Sequence, residues 1–378
     1  KWTQILRDDQ REDVYSLTRF FGGLSAQHTG YGKTLCLLAI LDCLPGRSVV
    51  LVPSNGILSE IQERGKKFDV NIFHYHWDRE IEILNPTGFL QSRESKKEEA
   101  RTWLKSVKNV FTDEAHHLQA SSWERLFNDF LPNVTRSYGF SASPDSERGK
   151  YLIPDKVKTD KLGYRNAKIV GLSGVVRVVR KSKTRVTLVE VETNILPPSY
   201  EWDFENDHWQ NAICDMLEHP KCADVIAQII SQFPATKFYI PVNFVSPGKR
   251  LYHNLLEQGI EGIFWSSKDI LPSPSVKNMD PLVFIKNEVE KEQCRFLMTT
   301  SVAYEGVSID CLSGVIPLIG KSYRLTIQPM GRATRGKTLV YVVIFDKNNV
   351  IMNKQSRERR RITLKEYDIH KIIKLKIE

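Results

Sequence analysis

The hydrophobic pattern changes its period several times in the first part of the chain. An apolar run at residues 20–26 leads into a glycine-containing loop, and residues 35–44 then have the spacing and apolar content of a helix. Residues 48–52 form a continuous valine-rich run, which is typical of a strand buried on both faces. Residues 55–68 return to helical spacing. This alternation of strands and helices predicts an α/β segment with a parallel sheet.

Further strands are predicted around residues 70–73, 107–111 and 137–140. The pattern then becomes β-rich, with strands predicted at 175–179 and 185–191 and a hairpin turn at 181–184 between them. A second alternating block begins with a helix predicted over residues 208–233. Its strands are predicted at 238–242, 262–265, 295–298, 314–316 and 338–345.

The pattern therefore predicts two α/β lobes with a β-rich insertion between them. The expected boundaries are residues 1–147 for the first lobe, 148–200 for the insertion, 201–346 for the second lobe and 347–378 for a C-terminal tail.

Composition and charge narrow the function classes. The 378 residues are 41% hydrophobic and 26% charged, which is typical of a globular chain and excludes a mainly disordered or fibrous one. No run of about 18 apolar residues is present, and the N-terminal residues lack an apolar signal segment. Six cysteines without a metal-binding spacing favour free thiols. We therefore expect a cytoplasmic protein of a bacterial or phage-infected cell, without a membrane segment.

The net charge of +9 is concentrated in two regions. Residues 148–190 contain 12 Lys and Arg against 3 Asp and Glu, and residues 346–378 contain 10 against 5. Clustered basic side chains release counterions from a phosphate backbone, so a polyanion is the first partner to consider. A solvated charged surface is the alternative that charge alone leaves open.

A phosphate-binding loop is the strongest chemical signal. The loop ends in Gly32-Lys33-Thr34 between a predicted strand and a predicted helix, as in GxxxxGK[ST] loops. In such loops backbone N–H groups and the lysine hold phosphates, and the hydroxyl binds Mg²⁺. Gln27 occupies the position of the first glycine, so the strict pattern is not met.

Two further groups complete the chemistry that phosphoryl transfer needs. Asp113 and Glu114 follow an apolar run, which places them at the carboxyl end of a strand. Asp113 is suited to holding Mg²⁺ and Glu114 to orienting or deprotonating water. Arg332 and Arg335 lie three residues apart, and we interpret them as arginine fingers from the second lobe.

These segments resemble the superfamily 2 helicases in eight motifs that occur in the family's order. Leu6 to Gln10 is similar to the glutamine motif, Thr29 to Thr34 to motif I, Pro53 and Ser54 to motif Ia, Asp113 to His116 to motif II, Ser141 to Pro144 to motif III, Phe238 to Leu255 to motif IV, Thr300 to Asp310 to motif V, and Gln328 to Arg335 to motif VI. The form of motifs V and VI most resembles DNA branch-migration and repair helicases, including phage recombination helicases. Ser143 stands where threonine is usual.

The resemblance implies two RecA-like lobes that close on ATP and Mg²⁺ and reopen after hydrolysis. It implies that Gln10 recognises adenine and that lobe movement is coupled to hydrolysis. The implied ATP-binding residues are Gln10, Thr29, Gly30, Tyr31, Gly32, Lys33, Thr34, Gly306 and Asp310, with Thr34 and Asp113 at the metal. The implied coupling residues are Ser141, Ala142, Ser143 and Gln328.

Nucleic acid is the implied partner of a monomeric motor, with DNA favoured over RNA. The resemblance places contacts at Pro53, Ser54, Asn55, Thr87, Gly88, Ser246 and Thr300. The expected hairpin adds Arg177, Arg180, Lys181, Lys183 and Arg185 as a grip for duplex or branched DNA, with a solvated insertion as the alternative.

Three other functions remain open at this point. A DExH RNA helicase fits the same motifs, because contacts to a 2′-hydroxyl leave no sequence mark here. The motor subunit of a restriction or packaging system is a second alternative, with any nuclease on another subunit. A nucleic-acid-binding module with a decayed ATP site is suggested only by Gln27.

Overall fold

The chain divides into two compact units, Lys1–Lys181 and Ser182–Glu378. The computed structural model describes residues 1–28, 30–142, 168–180, 182–197, 200, 209–266, 269–273, 280–300, 309, 311–318, 323–333 and 338–377. Among these residues no helix is long and apolar enough to cross a membrane. All six cysteines are free thiols.

The first unit is built on a six-stranded parallel sheet with the strand order β3-β2-β4-β5-β1-β6. Its strands are β1 (Gly22–Gln27), β2 (Ser48–Leu51), β3 (Ile81–Leu84), β4 (Asn109–Asp113), β5 (Arg136–Ser141) and β6 (Val176–Arg180). Its helices are α1 (Trp2–Ile5), α2 (Asp8–Thr18), α3 (Lys33–Cys43), α4 (Asn55–Lys67), α5 (Pro86–Leu90), α6 (Glu94–Lys105) and α7 (Ser121–Phe130), with a 3-10 turn at Ala115–Gln119.

The second unit is built on an eight-stranded sheet with the order β10-β9-β11-β8-β12-β13-β7-β14, in which only the pair β9 and β10 is antiparallel. Its strands are β7 (Arg185–Thr193), β8 (Phe238–Pro241), β9 (Gly262–Trp265), β10 (Ile270–Leu271), β11 (Phe296–Thr299), β12 (Gly314–Val315), β13 (Thr338–Asp346) and β14 (Asp368–Lys376). Its helices are α8 (Trp209–Glu218), α9 (Pro220–Gln232), α10 (Val245–Glu257), α11 (Pro281–Glu290), α12 (Tyr323–Arg332) and α13 (Val350–Glu366).

Both sheets are buried on two faces, as their continuous apolar runs predict. In β4, Val110 packs into one hydrophobic cluster of the first unit and Phe111 into the other. In β13, Tyr341 and Val342 divide in the same way between the two clusters of the second unit. Successive side chains of a strand point to opposite faces, so each sheet lies between two apolar layers. The predicted α/β architecture of two parallel-sheet lobes is confirmed.

The expected hairpin at residues 175–191 is wrong. Strand β6 pairs with β1 in the first sheet, and β7 lies between β13 and β14 in the second. The apolar side chains of β7 enter both clusters of the second unit, so this strand has to lie in the sheet interior. The sequence prediction sets residues 148–200 and 347–378 apart, but they contribute β6 to the first sheet and β7 and β14 to the second, together with helix α13.

Two smaller predictions also differ from the structure. The helix expected over 208–233 is two helices, because Pro220 lacks the N–H that would continue the first and instead begins α9. No strand forms at 70–73, where only Phe73 makes an isolated bridge, to Glu82 of β3. Strand β3 was not predicted, because its four residues alternate too briefly to stand out from the surrounding polar residues.

Candidate functional site

The loop between β1 and α3 carries the predicted phosphate-binding residues. Gly30 and Gly32 have φ values of 82° and 99°, which glycine adopts without strain. A Cβ atom on Gly32 would lie 2.5 Å from Gln10 Nε2. Gly32 is the N-cap of the 11-residue helix α3, and it has no side chain to accept from the first N–H groups. The loop therefore ends in a helix N-terminus suited to binding an anion.

Gln10 braces this loop from helix α2. Its Nε2 donates to the backbone oxygen of Tyr31 at 2.8 Å, and its Oε1 accepts from the backbone nitrogen of Arg7 at 3.1 Å. Arg7 also donates to the Tyr31 oxygen and stacks over the Tyr31 ring. The residue that the resemblance assigns to adenine thus also fixes the conformation of the phosphate loop.

A polar cluster connects the ends of three neighbouring segments of the first unit. Lys33 Nζ lies 3.5 Å from Glu114 Oε1. The other carboxylate oxygen, Glu114 Oε2, accepts from Ser141 Oγ at 3.3 Å and lies 3.4 Å from His116 Nδ1. His116 Nδ1 is in turn 3.2 Å from Ser141 Oγ. The lysine of the phosphate loop and the serine that ends β5 thus both contact the carboxylate of the second acid.

Asp113 is the last residue of β4 and is buried. Its Oδ1 accepts from the backbone nitrogen of Glu114 at 3.0 Å. Burial raises the pKa of this carboxyl above its ordinary value, and the neighbouring Glu114 carboxylate raises it further, whereas Lys33 acts in the opposite direction. A cation beside Asp113 would favour its charged form.

The residues present fit a Mg²⁺ ion that phosphate oxygens help to hold. Thr34 is at the start of α3, and Asp113 ends β4 in the same unit. The described part of the chain has no group of three or more His, Cys, Asp or Glu side chains that could hold a metal by themselves. Mg²⁺ commonly takes one or two protein ligands and completes its shell with water and substrate phosphate. Thr34 and Asp113 would be those ligands.

The predicted nucleic-acid turns lie at the carboxyl ends of neighbouring strands. Residues 53–55 follow β2, where Ser54 caps α4 by accepting from Ile57 N. Thr87 and Gly88 follow β3, where the Asn85 side chain accepts from both of their N–H groups. In the second unit Ser246 and Thr300 follow β8 and β11, which are neighbours in the sheet. Thr300 is buried, whereas Asn55 is exposed.

The basic residues of the expected hairpin are dispersed in the structure. Arg177 is exposed on β6, and Lys183 and Arg185 are exposed near the start of β7. Arg180 is engaged in ion pairs within the first unit, with Asp13 and Glu12.

The remaining predicted residues are only partly described. Ser141 and Ala142 end β5 and are buried, and Gln328 is buried in α12, where its Nε2 has no acceptor among the described residues. Helix α12 ends at Arg332, whose side chain is outside the described part of the chain. Thr29, Ser143, Lys181, Gly306, Asp310 and Arg335 also lie outside the described residues.

A buried network beside the phosphate loop was not predicted from the sequence. Asp13 of α2 is almost fully buried and pairs with Arg180, whose Nε lies 2.8 Å from Asp13 Oδ1. Gln27 Nε2 donates to the other oxygen, Asp13 Oδ2, at 2.8 Å. The side chain of Gln27 is thus directed into the unit, which explains how a large residue is accommodated at the position of the first glycine. The unusual residue Gln27 was visible in the sequence, but the residues of its network could not be identified because they are remote in the chain.

Comparisons with known proteins give the fold a wider context. The sequence family described as "Type III restriction enzyme, res subunit" matches residues 4–146. No curated protein sequence matches the chain.

Several solved structures are similar over nearly the whole chain. Dbp5 of S. cerevisiae bound to RNA and ADP BeF3 has a TM-score of 0.61 at 16% identity, covering 98% of this chain and 94% of Dbp5. A fragment of a putative HsdR subunit of a type I restriction enzyme from Vibrio vulnificus has a TM-score of 0.64 at 14% identity, covering 98% of this chain and 67% of that one. The Mycobacterium smegmatis helicase Lhr bound to ssDNA and AMP-PNP has a TM-score of 0.58 at 16% identity, covering 96% of this chain and 49% of Lhr.

The two units therefore have the RecA-like α/β fold that these solved structures share. Identities of 13–16% support the fold alone.

Proposed function

We propose that this protein is a nucleic-acid-dependent ATPase, a superfamily 2 helicase or translocase that uses ATP and Mg²⁺ to move on or unwind DNA. The observation that carries the proposal is the carboxylate of Glu114, which lies beside Lys33 of the phosphate loop and accepts from Ser141 at the end of β5. These three residues belong to the segments that resemble motifs I, II and III.

The proposed roles follow from the chemistry of each group. Backbone N–H groups at Gly30 to Lys33 bind phosphate oxygens, and the Lys33 ammonium neutralises the terminal phosphates. Thr34 and Asp113 hold Mg²⁺, which polarises the phosphate when bound. Glu114 accepts a proton from the attacking water through the oxygen that now lies beside Lys33. Gln10 holds the loop through the Tyr31 carbonyl.

The second unit would complete the reaction. We assign charge neutralisation on the departing γ-phosphate to Arg332 and Arg335, and contacts to the nucleotide to Gly306 and Asp310. Ser141, Ala142, Ser143 and Gln328 are the proposed coupling residues. Ser141 is the best supported of these, because its hydroxyl donates to the proposed base.

Nucleic acid is the proposed substrate of the motor. The turns at residues 53–55 and 87–88 are presented at the carboxyl edge of the first sheet, and Ser246 and Thr300 at the same edge of the second. Asn55, Thr87 and Ser246 are exposed, and backbone and hydroxyl groups at such positions suit contacts to phosphates, which do not depend on sequence. We favour DNA because of the form of motifs V and VI, and an RNA substrate is the alternative.

A second candidate function is the motor subunit of a restriction system. It is favoured by the match of residues 4–146 to the res subunit family and by the similarity to the HsdR fragment. This candidate would use the same proposed ATP chemistry. It would differ from a helicase because it would move along duplex DNA without separating the strands.

The experiment that tests the ATP chemistry compares Glu114→Gln with wild type. Because the amide cannot accept a proton, we expect kcat for ATP hydrolysis to fall by roughly 10²- to 10⁴-fold, while the affinity for a fluorescent ATP analogue stays within about threefold. Glu98→Gln, on the exposed surface of α6, is the matched control and should behave as wild type. Full turnover by Glu114→Gln would contradict the assignment of the base.

A further inference from the structure

Three exposed aromatic side chains occur together in the first unit, at the end of α2 and just before β1. Tyr15, Phe20 and Phe21 are 63%, 42% and 74% exposed. Large apolar side chains scattered singly on a surface are common, but here three occur within seven residues of the sequence. None of the three is part of the proposed ATP site.

Each of these rings lies against an arginine. The guanidinium carbons of Arg19, Arg136 and Arg177 are 5.5, 5.7 and 4.0 Å from the ring centroids of Tyr15, Phe21 and Phe20. We call these six residues the aromatic–arginine surface.

The arginines of this surface are a source of positive charge. Within the described part of the chain, Arg19, Arg136 and Arg177 form no ion pair with a carboxylate. The segments leading into β4, β5, β1 and β6 (residues 106–108, 133–135, 19–21 and 173–175) contain no aspartate or glutamate, and they add Lys108. The surface is therefore complementary to an anionic partner.

The two phenylalanines are held on ordered backbone. The Phe20 carbonyl accepts from the Tyr138 hydroxyl at 3.0 Å, and the Phe21 carbonyl accepts from Ser137 N at 3.0 Å. Both acceptor groups are thus fixed by β5. Rings presented in this way lose little conformational freedom when a planar group stacks on them.

The position of the surface separates it from the ATP site. Phe21 precedes the first residue of β1, whereas the phosphate loop follows the last. Six residues of strand span about 20 Å. The surface thus lies at the amino edge of the sheet, opposite the edge that carries Lys33, Asp113 and the turns at 53–55 and 87–88.

We propose that the aromatic–arginine surface is an additional binding site for single-stranded nucleic acid. Bases stack on the open faces of Phe20 and Phe21, and the arginines contact the phosphates. A peptide partner would bring backbone donors and acceptors, whereas the polar side-chain groups of this surface are three guanidinium donors and the single hydroxyl of Tyr15. The combination of stacking platforms with unneutralised guanidinium groups instead fits unpaired bases on a phosphate backbone. The site goes beyond the proposed motor, because it would hold the strand outside the path across the carboxyl edges.

The test measures binding of fluorescent dT20 and U20 by anisotropy without ATP. Loss of one stacking platform in Phe21→Ala should weaken binding by roughly 5- to 100-fold, whereas Phe21→Trp should bind as tightly as wild type. Arg177→Gln should reduce the slope of log affinity against log salt by about 0.7. Lys67→Gln, an exposed lysine at the end of α4, removes the same charge elsewhere and should retain affinity within about twofold.

Wild-type affinity in both Phe21→Ala and Arg177→Gln would overturn the proposal and favour a protein as the partner of this surface. Preference for dT20 or for U20 distinguishes DNA from RNA as the strand, and either preference supports the site. Because binding is measured without ATP, a protein that binds these strands through Phe21 but never hydrolyses ATP contradicts only the proposed motor. Stimulated hydrolysis with unchanged binding in the variants contradicts only this site.

Discussion

At the scale of single residues, the proposed chemistry depends on where Glu114 places its two carboxylate oxygens. One oxygen lies beside Lys33, and the other is contacted by Ser141 and His116. A phosphate that recruits Lys33 would compete for the first contact while the second remains. Glu114 also has a φ of 50°, and Asp113 accepts from its N–H group. The backbone conformation and the side-chain contacts together fix the direction of the proposed base.

The pair between Asp13 and Arg180 leads to a stability prediction. Arg180→Ala leaves the buried Asp13 carboxylate without its cation, and we expect the free energy of unfolding to fall by roughly 2–3 kcal/mol, below the value for a fully buried pair because Arg180 is about a third exposed. Chemical denaturation measures the change. Arg125→Ala, which breaks the exposed pair with Asp129, should cost less than about 1 kcal/mol.

Equal stability of the Arg180 and Arg125 variants would show that Arg180 does not fix α2 against β6. Arg180 would then again be a candidate for contacts to nucleic acid.

The residues of the proposed ATP site could be named from the sequence because they lie in short, contiguous segments. Gly32, Lys33 and Thr34 are adjacent, as are Asp113 and Glu114, and each segment follows an apolar strand. The partner of Asp13 was not predictable, because Arg180 is remote in the chain and its charge is indistinguishable from that of its basic neighbours. Only the pairing of β6 with β1 brings the two together.

At the scale of elements, neighbouring parallel strands place the candidate residues at the same edge of a sheet. β2, β3 and β4 are consecutive neighbours in the first sheet, and they end before Pro53, Asn85 and Glu114. Parallel strands bring such ends to one edge, which is why a linear sequence can specify a compact site. The amino edge of the same sheet carries the aromatic–arginine surface. The two proposed sites thus lie at opposite edges of one sheet.

Strand β3 contains a buried acid that should make the stability of the first unit depend on pH. Burial raises the pKa of Glu82 to about 7, although its Oε1 accepts from His76 N at 3.0 Å. The folded protein then retains this proton to a higher pH than the unfolded chain does. The contribution of Glu82 to the free energy of unfolding should therefore decrease as pH rises from about 4.5 to about 7.

Glu82→Gln removes this dependence, because the amide stays neutral while its oxygen can still accept from His76 N. The variant should be more stable than wild type by about 1–2 kcal/mol at pH 8 and similar to it near pH 4.5, as measured by urea denaturation at each pH. Glu80→Gln, an exposed change in the same segment, should show no such difference. A constant difference between Glu82→Gln and wild type across this range would contradict the shifted pKa.

Element prediction failed where pairing partners are distant. The runs at 175–179 and 185–191 have the spacing of a hairpin, but their neighbours are β1, β13 and β14. Period and length specify a strand, whereas its partner depends on which apolar faces remain to be covered. The helices were easier to predict, because capping residues such as Ser54 are local signals. The longest predicted helix is an exception, since Pro220 lacks an N–H group and divides it into two helices.

At the scale of the whole molecule, two RecA-like units with a net charge of +9 suit the proposed motor, which would act on a polyanion. Basic side chains would bind nucleic acid without sequence preference, and ATP hydrolysis would supply the energy for movement. Similar folds occur in Dbp5 bound to RNA, in Lhr bound to ssDNA and in a fragment of a putative HsdR subunit of a type I restriction enzyme. The substrate therefore has to be identified by its effect on hydrolysis.

The most direct test of the account is the steady-state rate of ATP hydrolysis with Mg²⁺, measured alone and with single-stranded DNA, duplex DNA, a branched DNA junction or RNA. We expect little hydrolysis by the protein alone and stimulation by DNA that weakens as salt is raised. Stimulation by duplex alone would favour the restriction motor, and stimulation by RNA alone would change the substrate but retain the motor. The absence of hydrolysis under every condition would contradict the account and indicate a nucleic-acid-binding protein whose ATP site has lost its function.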